Sequence, residues 1–483
     1  MLFSSIIFLY AFLPIVLLLN FVVKKGYRNK LLLISSLIFF AWGGISYALI
    51  LISSIIINYI SGRLIHKYSG HKKSKIFLAI GISLNLLLLG HFKYSNFLIE
   101  NINYVFSLFT TYRIEHPGII LPLGISFYTF QAMSYIIDLY RGQANVQKNI
   151  FKLGLYISFF PQLIAGPIVR YKDIELQFTK RKNHKANLAY GIQRFVLGLA
   201  KKVLIANPFG LVADQAFAVD AADLNSSTAW IGILAYTIQI YFDFSGYSDM
   251  AIGLGRMFGF KLPENFNFPY ISRSIREFWQ RWHMTLSVWF KNYLYFPLGG
   301  SRKGETRTII NLLIVFFATS IWHGASWNFV IWGMTHGFFM MLERLGFEKI
   351  LDKLWRPVQH FYALFIIVVT RVFFRAETFD YAWGYFKSLF SFNFSMVNLE
   401  VYETIYNVPY LILTIIAILS ATPFWKYMYN QLSNKLIVKN PSMIKVVGIS
   451  KQTVLILAIL IAVSLSTVLL ISDSYNPFIY FRF

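Results

Sequence analysis

Long apolar runs separated by short basic clusters organise this chain. Residues 2–23 are apolar throughout and are followed by Lys24, Lys25, Arg28 and Lys30. Residues 31–42 and 45–60, parted by Gly43-Gly44, read as a hairpin returning to a second basic loop with Arg63, Lys67, Lys72, Lys73 and Lys75. Residues 76–89 then lead out, and 119–139 lead back to Arg141 and Lys148. Lys and Arg collect on the cytoplasmic side of membrane helices, so these loops are predicted to be cytoplasmic and the N-terminus exterior. No small-residue cleavage site ends the first run, which reads as a retained helix rather than a signal peptide.

The middle of the chain is less regular. Residues 153–169 contain Phe159-Phe160-Pro161-Gln162 and Gly166-Pro167, with Lys148 and Lys152 before them and Arg170, Lys172 and Lys180 after. A short apolar run with two prolines and basic flanks on both sides predicts a re-entrant segment, tolerated at depth only inside protein or along a wet cavity. Two helices follow, over 188–214 and 229–258, the second carrying Asp243 and Asp249. Carboxylates in an apolar helix must face a polar interior. A network clamping helices together and a chemical role both satisfy that demand. Later runs cover 309–321, 328–341, 361–374, 408–421 and 453–471. Lys435, Lys439, Lys445 and Lys451 precede the last, which should run from cytoplasm to exterior. The pattern predicts an all-α polytopic membrane protein with roughly eleven transmembrane helices plus re-entrant and interfacial helices. It is read as one domain over 1–483: N-terminal helices (1–150), a motif-bearing core (151–345), then C-terminal helices and an exterior aromatic tail (346–483).

Composition agrees. Of 483 residues, 57% are hydrophobic and only 14% charged, where a soluble chain carries about 25% charged residues. Aromatics reach 18%, with 48 Phe, which suits lipid-facing helices and interfacial belts. The absence of cysteine excludes disulfides, thiolate catalysis and zinc–thiolate sites, and no metal site is expected. A net charge of +24 resembles a nucleic-acid signal until the charges are placed on the chain. Clustered between apolar runs they report topology, and no nucleic-acid partner is expected.

Two segments carry candidate chemistry. The first is Trp322-His323-Gly324-Ala325-Ser326-Trp327, at the end of an apolar run. An ionisable side chain there is costly and points to function, and histidine moves protons near neutral pH. The plain alternative is a histidine that hydrogen-bonds a neighbouring helix. The second segment is 272–300. Ile275, Phe278, Trp279, Trp282, Leu286, Trp289 and Phe290 share one helical face, and Arg276, Gln280, His283 and Ser287 run along its edge. This predicts one amphipathic helix at the cytoplasmic boundary with His283 where the faces meet, or an ordinary interfacial helix with a surface histidine. Arg273, Arg276, Arg281, Lys291, Arg302, Lys303 and Arg307 surround it. Such a cluster can hold nucleotide phosphates, and it also arises from the positive-inside rule with no ligand.

These motifs, taken in order, resemble the membrane-bound O-acyltransferase family, and within it the bacterial alginate and peptidoglycan O-acetyltransferase membrane subunits. The resemblance rests on Phe159-Phe160-Pro161-Gln162 with residues 165–170 (AGPIVR), on 241–251 (YFDFSGYSDMA), on 278–287 (FWQRWHMTLS), on 293–300 (YLYFPLGG), and on Trp322-His323-Gly324 leading to Trp332-Gly333 and His336-Gly337. It implies helices ringing a central funnel, with His323 as the catalytic histidine and His283 as the second. His336 is left to packing. It further implies acetyl-CoA as acyl-donor substrate, no bound cofactor, an exterior O-acetyltransferase partner and an envelope glycan as acceptor. Such a protein spans the bacterial inner (cytoplasmic) membrane several times, here with both termini exterior. The chain ends Asn476-Pro477-Phe478-Ile479-Tyr480-Phe481-Arg482-Phe483, an aromatic tail that reads as an interfacial anchor. It also resembles a C-terminal aromatic-tyrosine motif of this branch, in which Tyr480 would accept the acyl group. Two alternatives remain open: D-alanyl transfer to teichoic acid on the same fold, and a transporter that couples ions through Asp243 and Asp249 without covalent chemistry.

Overall fold

The computed structural model describes residues 1–181, 185–407, 410–439, 444–472 and 475–478. Among them there is no strand, and the fold is all-helical as predicted. Six described helices are long and apolar enough to cross a bilayer: Ile45–Lys67, Lys72–Ser107, Lys185–Ala218, Glu305–His323, Arg356–Arg375 and Gln452–Ser472. The larger number predicted included runs that take a different form. Ile125–Tyr140 and Trp327–Leu342 have 16 residues each. The 32-residue Ser226–Met257 helix is long but rich in polar residues, and nearly all of it is buried. A helix enclosed by other helices meets little lipid, so it needs neither the length nor the uniform apolarity of a lipid-facing span.

Ser226–Met257 is the central post. Asn225 caps it by accepting from Thr228 N at 2.9 Å. It packs against Lys185–Ala218 through two glycine pairs spaced seven residues apart, Gly191 with Gly253 and Gly198 with Gly246. A Cβ on Gly198 would lie 2.4 Å from the carbonyl oxygen of Gly246, and one on Gly253 would lie 2.6 Å from that of Gly191. Small residues let membrane helices approach backbone to backbone, where dispersion replaces the missing hydrophobic drive. Gly198→Leu should therefore destabilise by about 1–3 kcal/mol. The readout is a lowered thermal midpoint and a smaller monodisperse fraction in detergent; an unchanged midpoint would contradict this contact.

Polar clamps join the same two helices. Lys202 pairs with Asp243 at 3.0 Å, while Arg194 and Lys201 each reach Asp249 at 2.7 Å. Lys201 and Lys202 both reach this neighbour from the π-helical turn Lys201–Ala206.

The re-entrant segment has the broken form its prolines predict. Ile150–Ser158 stops at Phe159, Phe160–Leu163 makes one turn, and the chain leaves through a turn and a non-helical stretch past Ile168, buried from Leu153 to Val169. Its freed backbone groups find side chains: Phe160 N donates to Ser36 Oγ at 3.1 Å and Ile168 N to Thr285 Oγ1 at 3.0 Å.

The predicted single amphipathic helix over 272–300 is corrected. It is two short helices, Ile275–Arg281 and Met284–Phe290, broken at His283, whose φ of 43° is left-handed. The break is pinned from outside: Met284 N donates to Asn265 O at 2.9 Å, and Thr285 Oγ1 to Asn265 Oδ1 at 2.8 Å. His283 is consequently not at a surface edge but fully buried. Buried Glu343 fixes the start of the first helix, accepting from Ile275 N (2.6 Å) and Arg276 N (2.8 Å).

The C-terminal tail turns back into the protein. Tyr475 Oη donates to Asp214 at 2.7 Å, Asn476 Nδ2 to Ser4 O at 3.1 Å, and Lys202 Nζ to Pro477 O. Phe478 is 5% exposed and packs on Tyr247. Tyr480 lies outside the described residues.

Candidate active site

His323 is the last residue of the Glu305–His323 helix and only 4% exposed. Trp322, Trp332 and Phe374 surround its ring at centroid distances of 5.0, 5.0 and 5.3 Å. The break at His283 brings that second imidazole to 6.5 Å from His323, beside Phe244 at 4.7 Å. Neither ring nitrogen of either histidine has a protein hydrogen-bond partner among the described residues. His283 belongs to a non-spanning segment, and burial pushes its imidazole down to about 3, so it is held as the neutral base. Gly324 is required sterically: a Cβ there would sit 2.1 Å from the Phe329 ring. Any larger residue there would have to displace the Phe329 ring from its place beside Phe374.

Several cavities lie at or near this pair. A cavity of about 340 Å³, lined by His323, Trp322, Lys93, Ser126, Gly124 and Met1, opens toward the Gly43 turn. A second cavity of about 430 Å³ shares Lys93 and Leu121 with it and borders the 324–326 turn and Arg375. A separate cavity of about 310 Å³ is lined by the basic residues Arg276 and Lys291 with Gln280, Ser287 and Trp279. Trp279 packs edge-on against His336 (5.5 Å) and Trp332 (5.9 Å). Those two residues share a small cavity of about 20 Å³ with His323 and Arg371. Trp279 thus separates the basic cavity from the histidine chamber.

Sequence-predicted residues are distributed unevenly around this site. His323 and His283 come together, and His336 joins the same aromatic shell, bonded to Thr370 Oγ1 at 3.1 Å. Of the basic cluster, Arg276 and Lys291 line the basic-side cavity. Arg273 and Arg281 are engaged with Glu277, and Arg276 also with Glu348. Arg302 and Lys303 are exposed on the following loop. Asp243 and Asp249 are clamped by lysine and arginine, as a helix-joining network requires. Two site residues escaped the sequence reading. Lys93 donates to the backbone of Trp322 and His323. Arg371 is buried, donates to Thr237 O at 3.0 Å, and stacks 5.0 Å over Trp282. An ionisable residue within or just beyond an apolar run was the available signal for both.

Residues 145–374 match the profile of the MBOAT, membrane-bound O-acyltransferase family, and the chain belongs to that family: it is a multi-pass membrane O-acyltransferase. Among its relatives are two proteins named "probable alginate O-acetylase AlgI". The one from Azotobacter vinelandii is 43% identical over 393 residues, covering 81% of this chain and 78% of the relative. The one from Pseudomonas putida is 37% identical over the full length of both chains. A "peptidoglycan O-acetyltransferase" from Helicobacter pylori is 37% identical over 81% of this chain and 80% of its own.

Proposed function

We propose that this enzyme moves acetyl groups from cytoplasmic acetyl-CoA across the membrane for O-acetylation of a cell-envelope polysaccharide, an alginate-like exopolysaccharide or peptidoglycan, through an exterior partner. The observation that carries it is a buried histidine pair with unbonded ring nitrogens, with His323 lining one cavity and a separate cavity lined by Arg276 and Lys291 beyond Trp279. The basic loops at Lys24–Lys30 and Arg63–Lys75 support an orientation with the Arg276–Lys291 cavity toward the cytoplasm of a bacterial inner membrane and the Gly43 turn toward the exterior. This orientation solves a transport problem. Acetyl-CoA is polyanionic and stays inside, while the glycan hydroxyl is outside, so only the acyl group needs to pass.

The chemistry needs a base and support for an oxyanion, because a thioester is already activated. His323 takes the proton of an acceptor hydroxyl as its oxygen attacks the thioester carbonyl carbon. The tetrahedral intermediate collapses, the C–S bond breaks, and the CoA thiolate takes the proton back from the imidazolium. His283, neutral and 6.5 Å away, steadies charge from the cytoplasmic side. The acceptor is Tyr480, whose acetyl ester then passes to the partner. The docked tail supports this, since Phe478, two residues before Tyr480, is already inside the protein.

Lys291→Glu and Arg276→Glu test the donor site. Each is expected to raise the KM for acetyl-CoA about tenfold, the equivalent of 1.4 kcal/mol, with kcat little changed, which signals lost binding rather than lost chemistry. Labelled acetyl transfer in native membranes measures both constants. An unchanged KM would return these charges to a purely topological role.

A further inference from the structure

The Glu305–His323 helix ends inside the protein, and its last four carbonyls, which have no partner within the helix, can all be accounted for. Ser320 O accepts from Gly324 N at 3.3 Å. Ile321 O accepts from Tyr94 Oη at 2.8 Å. Trp322 O and His323 O both accept from Lys93 Nζ, the latter at 3.2 Å. The third ammonium bond goes to Ser126 Oγ at 3.2 Å, and Ser126 O in turn accepts from Trp322 Nε1 at 3.4 Å. All three donors of Lys93 are thereby used. Its ammonium also lies 5.9 Å from the Trp322 ring. Lys93 is 8% exposed and sits within the Lys72–Ser107 span, and among the described residues no carboxylate pairs with it.

A lysine buried in a membrane helix without a counter-charge is costly, and here its counterpart is the negative end of a helix. The need for such a clamp follows from the cavities. The 322–326 turn borders two cavities, one of about 340 Å³ at Trp322 and His323 and one of about 430 Å³ at residues 324–326, and Lys93 lines both. A helix end flanked by space cannot be held by packing alone, whereas a general base must be held to within a fraction of an ångström. Lys93 and Tyr94 also lie outside the 145–374 region of the family match.

We infer that Lys93, assisted by Tyr94, is a positioning residue for His323: its ammonium caps the terminus of the histidine helix and holds the imidazole in register with the reacting hydroxyl. This rests on the reading of His323 as the base. The test uses the full chain in native membranes with labelled acetyl-CoA. Lys93→Met is expected to lower kcat about 10²-fold while the KM for acetyl-CoA stays within about twofold. Lys93→Arg, which restores a cation with several donors, should recover most of the rate, and Tyr94→Phe should show a smaller kcat loss with the same unchanged KM. Wild-type kcat in Lys93→Met, a loss carried by KM, or an Arg variant no better than Met would each overturn the inference. If Lys93→Met does not accumulate, Tyr94→Phe decides, and a wild-type kcat there overturns it. His323→Ala run in parallel separates the two claims. Full activity in His323→Ala removes the base assignment, whereas an inactive His323→Ala beside a fully active Lys93→Met removes only the clamp.

Discussion

His323→Ala is expected to reduce acetyl transfer by at least about 10³-fold, within the range by which a positioned general base accelerates proton transfer, while the protein still inserts and accumulates. The reason lies in the geometry. His323 lines both a cavity of about 340 Å³ and a small one of about 20 Å³, and among the described residues its ring nitrogens hold no neighbouring helix through hydrogen bonds. Its packing partners are aromatic rings in edge contact, so truncation leaves a cavity in an aromatic shell without breaking a polar network. A neutral hydroxyl, deprived of its base, then attacks the thioester only at its intrinsic rate. Glycan acetylation and acetyl-CoA turnover should fall together, at unaltered expression and with at most a modest drop in thermal midpoint from the cavity. Substantial residual transfer in a folded His323→Ala protein would move the base elsewhere, with His283 the next residue to replace.

Tyr480→Phe is expected to abolish transfer to the glycan nearly as completely. It removes one oxygen and keeps the size and apolarity of the tail, so anchoring by Tyr475, Asn476 and Phe478 is preserved. A phenol with a pKa near 10 is a poor nucleophile at neutral pH without a base, and this step joins Tyr480 to His323. Intact mass measurement gives an independent readout. In the absence of the exterior partner, the wild-type C-terminal peptide should carry one acetyl group on incubation with acetyl-CoA, and neither Tyr480→Phe nor His323→Ala should. If Tyr480→Phe acetylates its glycan at the wild-type rate, the tail is an anchor, and His323 activates a hydroxyl brought by the partner.

Much of this protein is legible in one dimension because membrane proteins obey strong local rules. Apolar length, lysine clusters between runs, and the two prolines of 153–169 predict helices, loop sides and the broken segment, since lipid offers the backbone no hydrogen bonds and the chain must satisfy its own. The ordered motifs pointed to His323 and His283 through the family resemblance, and the cost of an ionisable residue at the end of an apolar run singled out His323 independently. The periodicity over 275–290 misled: seven apolar residues on one helical face argued for continuity, yet Asn265, far enough away to be invisible to a local pattern, stabilises a break that turns His283 inward.

The remaining features were decided only when the helices met. Hydrophobic spacing states which face a helix hides but not which helix it hides against, so the Gly191–Gly253 and Gly198–Gly246 approach appears only in three dimensions. The pairing of Asp243 and Asp249 with Lys202, Lys201 and Arg194 likewise depends on which helix lies opposite. Lys93 lies 230 residues from the carbonyl of His323 that it caps, and nothing near it in sequence marks it as more than one basic residue beyond an apolar run. Burial gives it meaning: at a helix end bordered by cavities, an ammonium is the group that satisfies two open carbonyls at once. The sequence by itself determined an all-helical membrane acyltransferase and the identity of its candidate base. The tertiary structure decided what holds that base still, because the partners of a helix terminus are drawn from whatever the fold brings beside it.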